Sequence, residues 1–518
     1  MDSKLEKFLK QLESSANAKI SSVEQSGIVW IKCNSKDLPG LSEKMIKENA
    51  LFDSSFISDL EKGNFQASYV FRVPALETFA VLYAEGKEFY AVSAVVNAAV
   101  WDERKMQDLS GLRFDNIPDS RPILFHPDGG LENIEGQKKR LGKNADYVYE
   151  MPMTGAEGEF QIPVGPVHAG IIEPGHFRFS VVGESINKLE TRMFYLHRGV
   201  EKLVEGKNIT EAIPLIESIS GDERIANMIG YCTAVEKALD IKVPERAQAI
   251  RVILAELERI YSHLSDLGGM PTDVGFYFAA SRFAVLREDM MRLNNKITGH
   301  RFLGGVCTPG GVKADLDETK ISVLVSELDN FVNRLNTLET VTLTNSTYLD
   351  RVYSTGIVTT EVAQKLSLVG PVARAAGYSC DVRKYFPYEF YDKVKFSEQK
   401  EEGGDVLCRF LVKIAEVKQA VEIIKTVIAK MPNGEILAPV PVSKSRKSVW
   451  SLGWAEAPRG SCTFMIELMD NGTIKSFRCR TASFRNWRGA ENLVPGNIVP
   501  DFPLINKSFN MSYAGTDL

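Results

Sequence analysis

The sequence predicts an α+β protein: an N-terminal α+β unit fused to a larger, mainly helical-bundle part with small β-sheets. Three observations predict it. Helix-like and strand-like runs alternate before residue 130. Beyond residue 210, long stretches place apolar side chains every three or four positions. Elsewhere short apolar runs are bounded by glycine, and one pair flanks Asp470-Asn471-Gly472, a strong hairpin signal. A length of 518 residues fits two or three domains, which we place at 1–130, at 161–518, and a linker at 131–160 between them.

The N-terminal run MDSKLEKFLKQLESS is an amphipathic helix without the apolar core of a signal peptide. VEQSGIVWIKC then reads as one alternating strand. QASYVFRVP and EFYAVSAVVNAAV read as further strands, with PALETFAVLYAEG linking them. WDERKMQDLSGLRFDNIPDSRPILFHPD is dense in Asp, Arg and Pro and suits a segment lying on the surface. From Gly129 to Phe160 glycine and charge without periodicity indicate the linker.

The stretch Ile162–Lys202 concentrates titratable groups. Three of the six histidines, His168, His176 and His197, fall here together with Glu173 and Arg198. Glycines 165, 170, 175 and 183 punctuate two apolar runs, which predicts a two-stranded sheet followed by a helix containing His197, Arg198 and Glu201. Each of these groups is either a satisfied structural residue or part of a buried corner where acids and bases converge; residue types alone leave both open.

Helices follow at Ala212–Leu239 and after Pro244, whose fixed φ suits a first turn. ERAQAIRVILAELERIYSHLSDL buries Ala247, Ile250, Ile253, Leu254, Leu257, Ile260, Tyr261 and Leu264. It carries Arg246, Arg251, Glu256, Glu258 and Arg259 on a second face, and Gly268-Gly269 ends it. Ala279–Ile297, Leu316–Thr340, a helix starting at Val362–Ser367, and Leu411–Met431 complete a bundle. SCTFMIELMDNGTIKSFRCRTAS closes the fold as a small sheet.

A net charge of −5 gives no reason to expect a nucleic-acid partner, and no run of eighteen apolar residues exists to span a membrane. The seven cysteines, at 33, 232, 307, 380, 408, 462 and 479, include no CxxC pair. They read as small buried apolar residues and offer no iron–sulfur or zinc site within this chain.

GPVHAG, EPGHFRF and YLHRGVEK resemble the opening motifs of the large subunit of group 4, energy-converting [NiFe] hydrogenases, and of the related 49-kDa (D) subunit of respiratory complex I. ERAQAIRVILAELERIYSHL, PGGVKADL, CDVRKYFPYEFYDKV, GGDVLCRFLVKIAEVKQAVEIIKTVI and EAPRGSCTFMIELMDNG resemble later blocks of that family, in its order. ERKMQDLSGLRFDNIPDSRPIL resembles the signature of the 30-kDa (C) subunit, a docking module without chemistry of its own.

The resemblance implies a site. The family's hydrogenases hold nickel and iron with two pairs of cysteines. Alignment on Ala234-Val235-Glu236 places one pair at Ser220 and Glu223, and alignment on Thr516-Asp517 places the other at Ser512 and Gly515. None is a thiolate, so the resemblance implies a form that binds no metal and performs no hydrogen chemistry. Glu173 matches the family's proton-carrying glutamate and Arg459 the arginine above the metal centre. His176 and Asp273 match a histidine–aspartate pair at the quinone headgroup, with Glu173 the alternative to His176. The family's quinone tyrosine falls at Gly221. Arg198 and His263 match residues beside the nearest iron–sulfur cluster of a partner. The resemblance thus implies a chain with no cofactor of its own, peripheral on the cytoplasmic side of an inner or cell membrane, in an NAD-linked, complex I-like assembly. Its partners are a B-like iron–sulfur small subunit, a ferredoxin-like subunit, and H-like and antiporter-like membrane-arm subunits, with a quinone or other small oxidant as acceptor. Two other readings stay open: a non-catalytic scaffold with a vestigial pocket, and a hydrogenase with unusual ligands.

Overall fold

The computed structural model describes residues 3–16, 20–124, 151–169, 172–441 and 447–518. Most of the 131–160 linker, residues 125–128 and Gly170 lie outside the described residues. The architecture is α+β, as expected.

In the N-terminal unit α1 (Ser3–Ala16) precedes β1 (Ser21–Gln25) and β2 (Ile28–Lys32). The stretch read as one strand is therefore a hairpin. Ser26 and Gly27 have φ of 55° and 71°, the left-handed pair that matches the twist of a two-residue turn. Then come α2 (Leu38–Lys47), β3 (Leu51–Asp59), β4 (Phe65–Val73) and β5 (Thr78–Gly86). The sheet order is β1-β2-β5-β4-β3, with β2–β5 the single parallel pair. The expected linker 74–86 is thus β5, covered on both faces, which is why it lacks alternation. EFYAVSAVVNAAV, expected as strand, forms a two-residue strand and two 3₁₀ turns.

The segment expected on the surface is α3 (Val100–Ser110), and Trp101, Asp102, Glu103 and Arg104 on it are buried. It is buried because one face of the sheet packs on α1 and α2 while the other packs on the large part of the chain. Phe79 stacks on Trp454 with ring centroids 4.2 Å apart. Asp53 lies 2.9 Å from Arg480 and 3.4 Å from Arg72, and accepts the Thr463 hydroxyl at 2.7 Å. The two guanidiniums hold the Asp53 carboxyl well below its ordinary range against the cost of burial.

The large part opens with a three-stranded rather than a two-stranded antiparallel sheet: β6 (Phe160–Val164), β7 (His176–Val182) and β8 (Ser185–Arg192). His197 and Arg198 precede α4 (Val200–Val204) instead of lying within it. The bundle contains α5 (Arg224–Ala238), α6 (Glu245–Asp273), α7 (Tyr277–Thr298), α8 (Glu318–Leu343) and α9 (Val406–Lys430). Gly268 and Gly269 do not end α6. They thin it, because a Cβ at 268 would lie 3.2 Å from Phe283 and one at 269 would lie 2.6 Å from the Lys507 side chain. A second sheet joins β9 (Ser448–Ala457), β10 (Gly460–Met469) and β11 (Ile474–Arg480), with the expected hairpin turn at 470–473. Gly453 on β9 brings α5 into near contact: a Cβ there would sit 2.0 Å from the Gly230 carbonyl oxygen. Three further helices follow: α10 (Ala482–Leu493), α11 (Tyr513–Asp517) and, between them, the helix Phe502–Phe509. No helix among the described residues is long and apolar enough to cross a membrane.

Candidate functional site

The two loops that the family resemblance pairs do meet. Ser220 opens the turn before α5, and Ser512 is the N-cap of α11. Their hydroxyl oxygens are 3.1 Å apart. Ser220 donates to Asp222 Oδ1 at 2.7 Å, so the proton between the two serines belongs to Ser512. Ser512 Oγ in turn accepts the Gly515 N–H at 2.9 Å, an N-cap bond. A Cβ on Gly515 would lie 3.4 Å from the Ser220 Cβ. Glu223 is the N-cap residue of α5 and joins the group through Arg459, whose Nη1 is 3.2 Å from its carboxylate. Arg459 also pairs with Asp222 at 2.7 Å and donates from Nε to the Asn510 carbonyl. Desolvation opposes the Asp222 anion, but the Arg459 ion pair prevails and holds its pKa at about 2.

Two hydroxyls, one ion-paired carboxylate and a residue without a side chain do not fit a nickel–iron pair, which needs soft thiolate donors. The cysteines offer no substitute. Burial pushes all seven thiols up, away from the thiolate form. Among the described residues no group of His, Cys, Asp and Glu is arranged to hold a metal ion.

Of the expected acid–base residues, Glu173 and Arg459 reach this corner. Glu173, half-buried, accepts the Ala514 N–H at 3.1 Å, one residue from Gly515. His176 faces its own sheet: Nδ1 lies 3.1 Å from the Gly165 carbonyl oxygen, and Nε2 accepts from Arg178 Nε at 3.3 Å. That pattern requires the neutral ring with the proton on Nδ1, and burial with Arg178 and Arg192 nearby lowers its pKa. Asp273 is the exposed last residue of α6, and the structure shows no hydrogen bond between it and His176. The expected pair is therefore not formed in this chain.

Arg198 and His263 do not lie alike. Arg198 is exposed and ties two loops to α11, donating to the carbonyls of Ser218 (2.6 Å), Ile219 (3.0 Å) and Ala514 (3.1 Å). His263 is fully buried on α6, with Nε2 2.9 Å from Glu416 Oε2 and Nδ1 without a partner. Glu416 also binds Arg374 at 2.8 Å, and Arg374 binds Glu456 at 2.7 Å. The charged second face of α6 lies in this ionic interior: Arg251, Glu256, Glu258 and Arg259 are each 0% exposed.

Four site residues escaped the sequence reading. Asp222 and Glu258 adjoin Glu223 and Arg459; Asp266 and Lys413, 2.5 Å apart, lie behind, with Asn510 donating to Asp266. A helix face carrying acids and bases together in equal measure was the available signal.

The family model described as the 30-kDa subunit of respiratory-chain NADH dehydrogenase matches residues 32–136, and that of the 49-kDa subunit matches residues 273–452. Formate hydrogenlyase subunit 5 of Escherichia coli (strain K12) is 34% identical over 447 residues, 84% of this chain and 78% of that protein. Hydrogenase-4 component G of the same organism is 33% identical over 85% of this chain and 77% of its own. The D-type subunit of the NADH-quinone oxidoreductase of Dehalococcoides mccartyi (strain ATCC BAA-2266 / KCTC 15142 / 195) is 32% identical over 69% of this chain and 98% of its own. Each is named as one part of a larger assembly. The chain belongs to the family of energy-converting [NiFe] hydrogenase large subunits and complex I 49-kDa subunits, with a 30-kDa-type unit fused before it.

Proposed function

We propose that the chain is the large subunit of a membrane-associated, complex I-like redox assembly and works without a nickel–iron centre. Electrons arrive from the clusters of an iron–sulfur partner subunit. They reduce a quinone-type or other small acceptor beside Glu173 and Arg459, and the proton uptake that accompanies reduction is coupled to ion translocation across the membrane arm. The observation that supports this most is the meeting of Ser220, Glu223, Ser512 and Gly515, which brings oxygen and guanidinium groups where the family's metal would need sulfur. Arg459 supplies a donor for an oxygen-bearing acceptor, and Glu173 supplies a carboxylate at the open side of the same corner. The test is purification with the copurifying subunits and assay of electron transfer to a short-chain quinone. Glu173→Gln should abolish turnover and leave the subunit pattern unchanged; wild-type turnover in that variant removes Glu173 from proton transfer.

One observation favours a scaffold reading. Arg459 is already engaged by Asp222, Glu223 and the Asn510 carbonyl, so a substrate must displace one of them. Titration of the isolated assembly with a quinone headgroup analogue separates the two: saturable binding weakened by Arg459→Gln supports chemistry, and no binding supports the scaffold.

A further inference from the structure

The carboxylates around Arg459 outnumber the cations that can answer them. Asp222 takes the short ion pair to Arg459 and is the member of the cluster that reaches solvent. Glu223 is buried and shares the same guanidinium at 3.2 Å. Glu258, on α6, is fully buried and forms no ion pair among the described residues. Its partners are the backbone N–H groups of Ile225 (2.7 Å) and Ala226 (2.9 Å) in the first turn of α5. Arg459 therefore answers Asp222 and Glu223, and the fully buried Glu258 is left beside both with only backbone N–H groups as partners.

We propose that Glu258 holds a proton in the resting chain and that Glu258 and Glu223 together store the proton exchanged at this site. The storage role rests on the proton-handling function proposed above; the protonation of Glu258 rests on its full burial and on its having no ion pair among the described residues.

The physical argument weighs two tendencies. The two N–H groups and the positive end of the α5 dipole favour a carboxylate at Glu258. Burial and the negative charges of Asp222 and Glu223 oppose it, and an unanswered charge in the interior neutralises itself by taking up a proton. The second tendency prevails, and the Glu258 carboxyl is pushed up to about 8. Burial raises Glu223 as well, less the pull of Arg459. The other ionisable groups facing Glu258 do not reverse this. Tyr261 on α6, Cys307 on the 307–312 hairpin and Cys462 on β10 are a neutral phenol and two neutral thiols, raised by burial. Arg224, at the start of α5, is turned to Glu217 at 3.5 Å. Two carboxyls that repel each other lose their protons in two steps whose midpoints belong to the pair. A nearby electron raises their affinity for protons, and its departure lowers it.

The test is infrared spectroscopy of the full chain in H2O and D2O across pH. The expected result is a protonated-carboxyl band at neutral pH with a midpoint of about 8 that is lost in Glu258→Gln. Glu223→Gln should shift that midpoint downward, because it removes a neighbouring negative charge. Glu103 and Asp517, pushed up to about 7, contribute bands of their own, so the difference between wild type and Glu258→Gln isolates the one at issue. Should Glu258→Gln fail to fold, the titrating band and its shift in Glu223→Gln still decide. A spectrum at neutral pH unchanged by either substitution overturns the proposal. A Glu258 band accompanied by wild-type turnover of Glu258→Gln in the assembly overturns the storage role and leaves electron transfer by the chain standing.

Discussion

Arg459 carries the largest share of the site's electrostatics on a single side chain. It is 6% exposed and is shared between Asp222 and Glu223. Replacing it with leucine leaves a buried carboxylate unanswered, which costs about 3–5 kcal/mol when one member of a buried pair is removed. Chemical denaturation of Arg459→Leu should show that loss, and a cost below about 1 kcal/mol would mean that the cluster is already neutral. The convergence of Ser220, Ser512 and Gly515 was legible in the sequence because each sits beside a motif with fixed neighbours. Asp222 and Glu258 were not legible. Glu258 meets α5 across some thirty intervening residues, and only the chain's path makes them adjacent. The His176–Asp273 pair was expected from resemblance and is absent, because His176 spends its Nδ1 proton on its own sheet and α6 ends with Asp273 in solvent.

Among elements, α6 shows most clearly where periodicity stops being informative. Its spacing correctly gives a helix with an apolar and a charged face. Which face is inside depends on whether partners with matching charges lie opposite, and Arg374, Arg383, Glu416 and Glu456 do. The hairpin at 470–473 was legible because its turn chemistry is local. β5 was not, since a strand covered on both faces loses its alternation. The contact between α5 and β9 depends on Gly453, and Gly230 makes room for Phe464 on β10. Gly453→Ala forces its Cβ against the Gly230 carbonyl, and overpacking of this kind costs about 1–3 kcal/mol. A lowered thermal midpoint with the same far-ultraviolet spectrum is the expected outcome; an unchanged midpoint would show that the helix and strand can separate freely.

For the whole molecule, the two halves share one interior, and Asp53 is its ionic centre. Asp53→Asn leaves Arg72 and Arg480 without their anion and should loosen the N-terminal unit from the rest by about 3–5 kcal/mol. Limited proteolysis that releases an intact N-terminal fragment from the variant, and not from the wild type, would show it. Buried acids also set the response to pH. Glu103, Asp517 and Glu258 are pushed up to about 7, 7 and 8, above their unfolded values. Their contribution to stability is complete below the ordinary carboxylate range and is lost as pH rises through those folded values. Calorimetry should therefore give a thermal midpoint that falls between about pH 5 and about pH 8. A rising midpoint would contradict the assignment of these acids as protonated.

We propose that a family corner built for a thiolate-held metal here works with oxygen and guanidinium groups alone. Elemental analysis of the chain purified anoxically with its copurifying partners tests it most directly. The expected result is iron belonging to partner clusters and nickel far below one atom per chain. Stoichiometric nickel that survives gel filtration with this chain would contradict it.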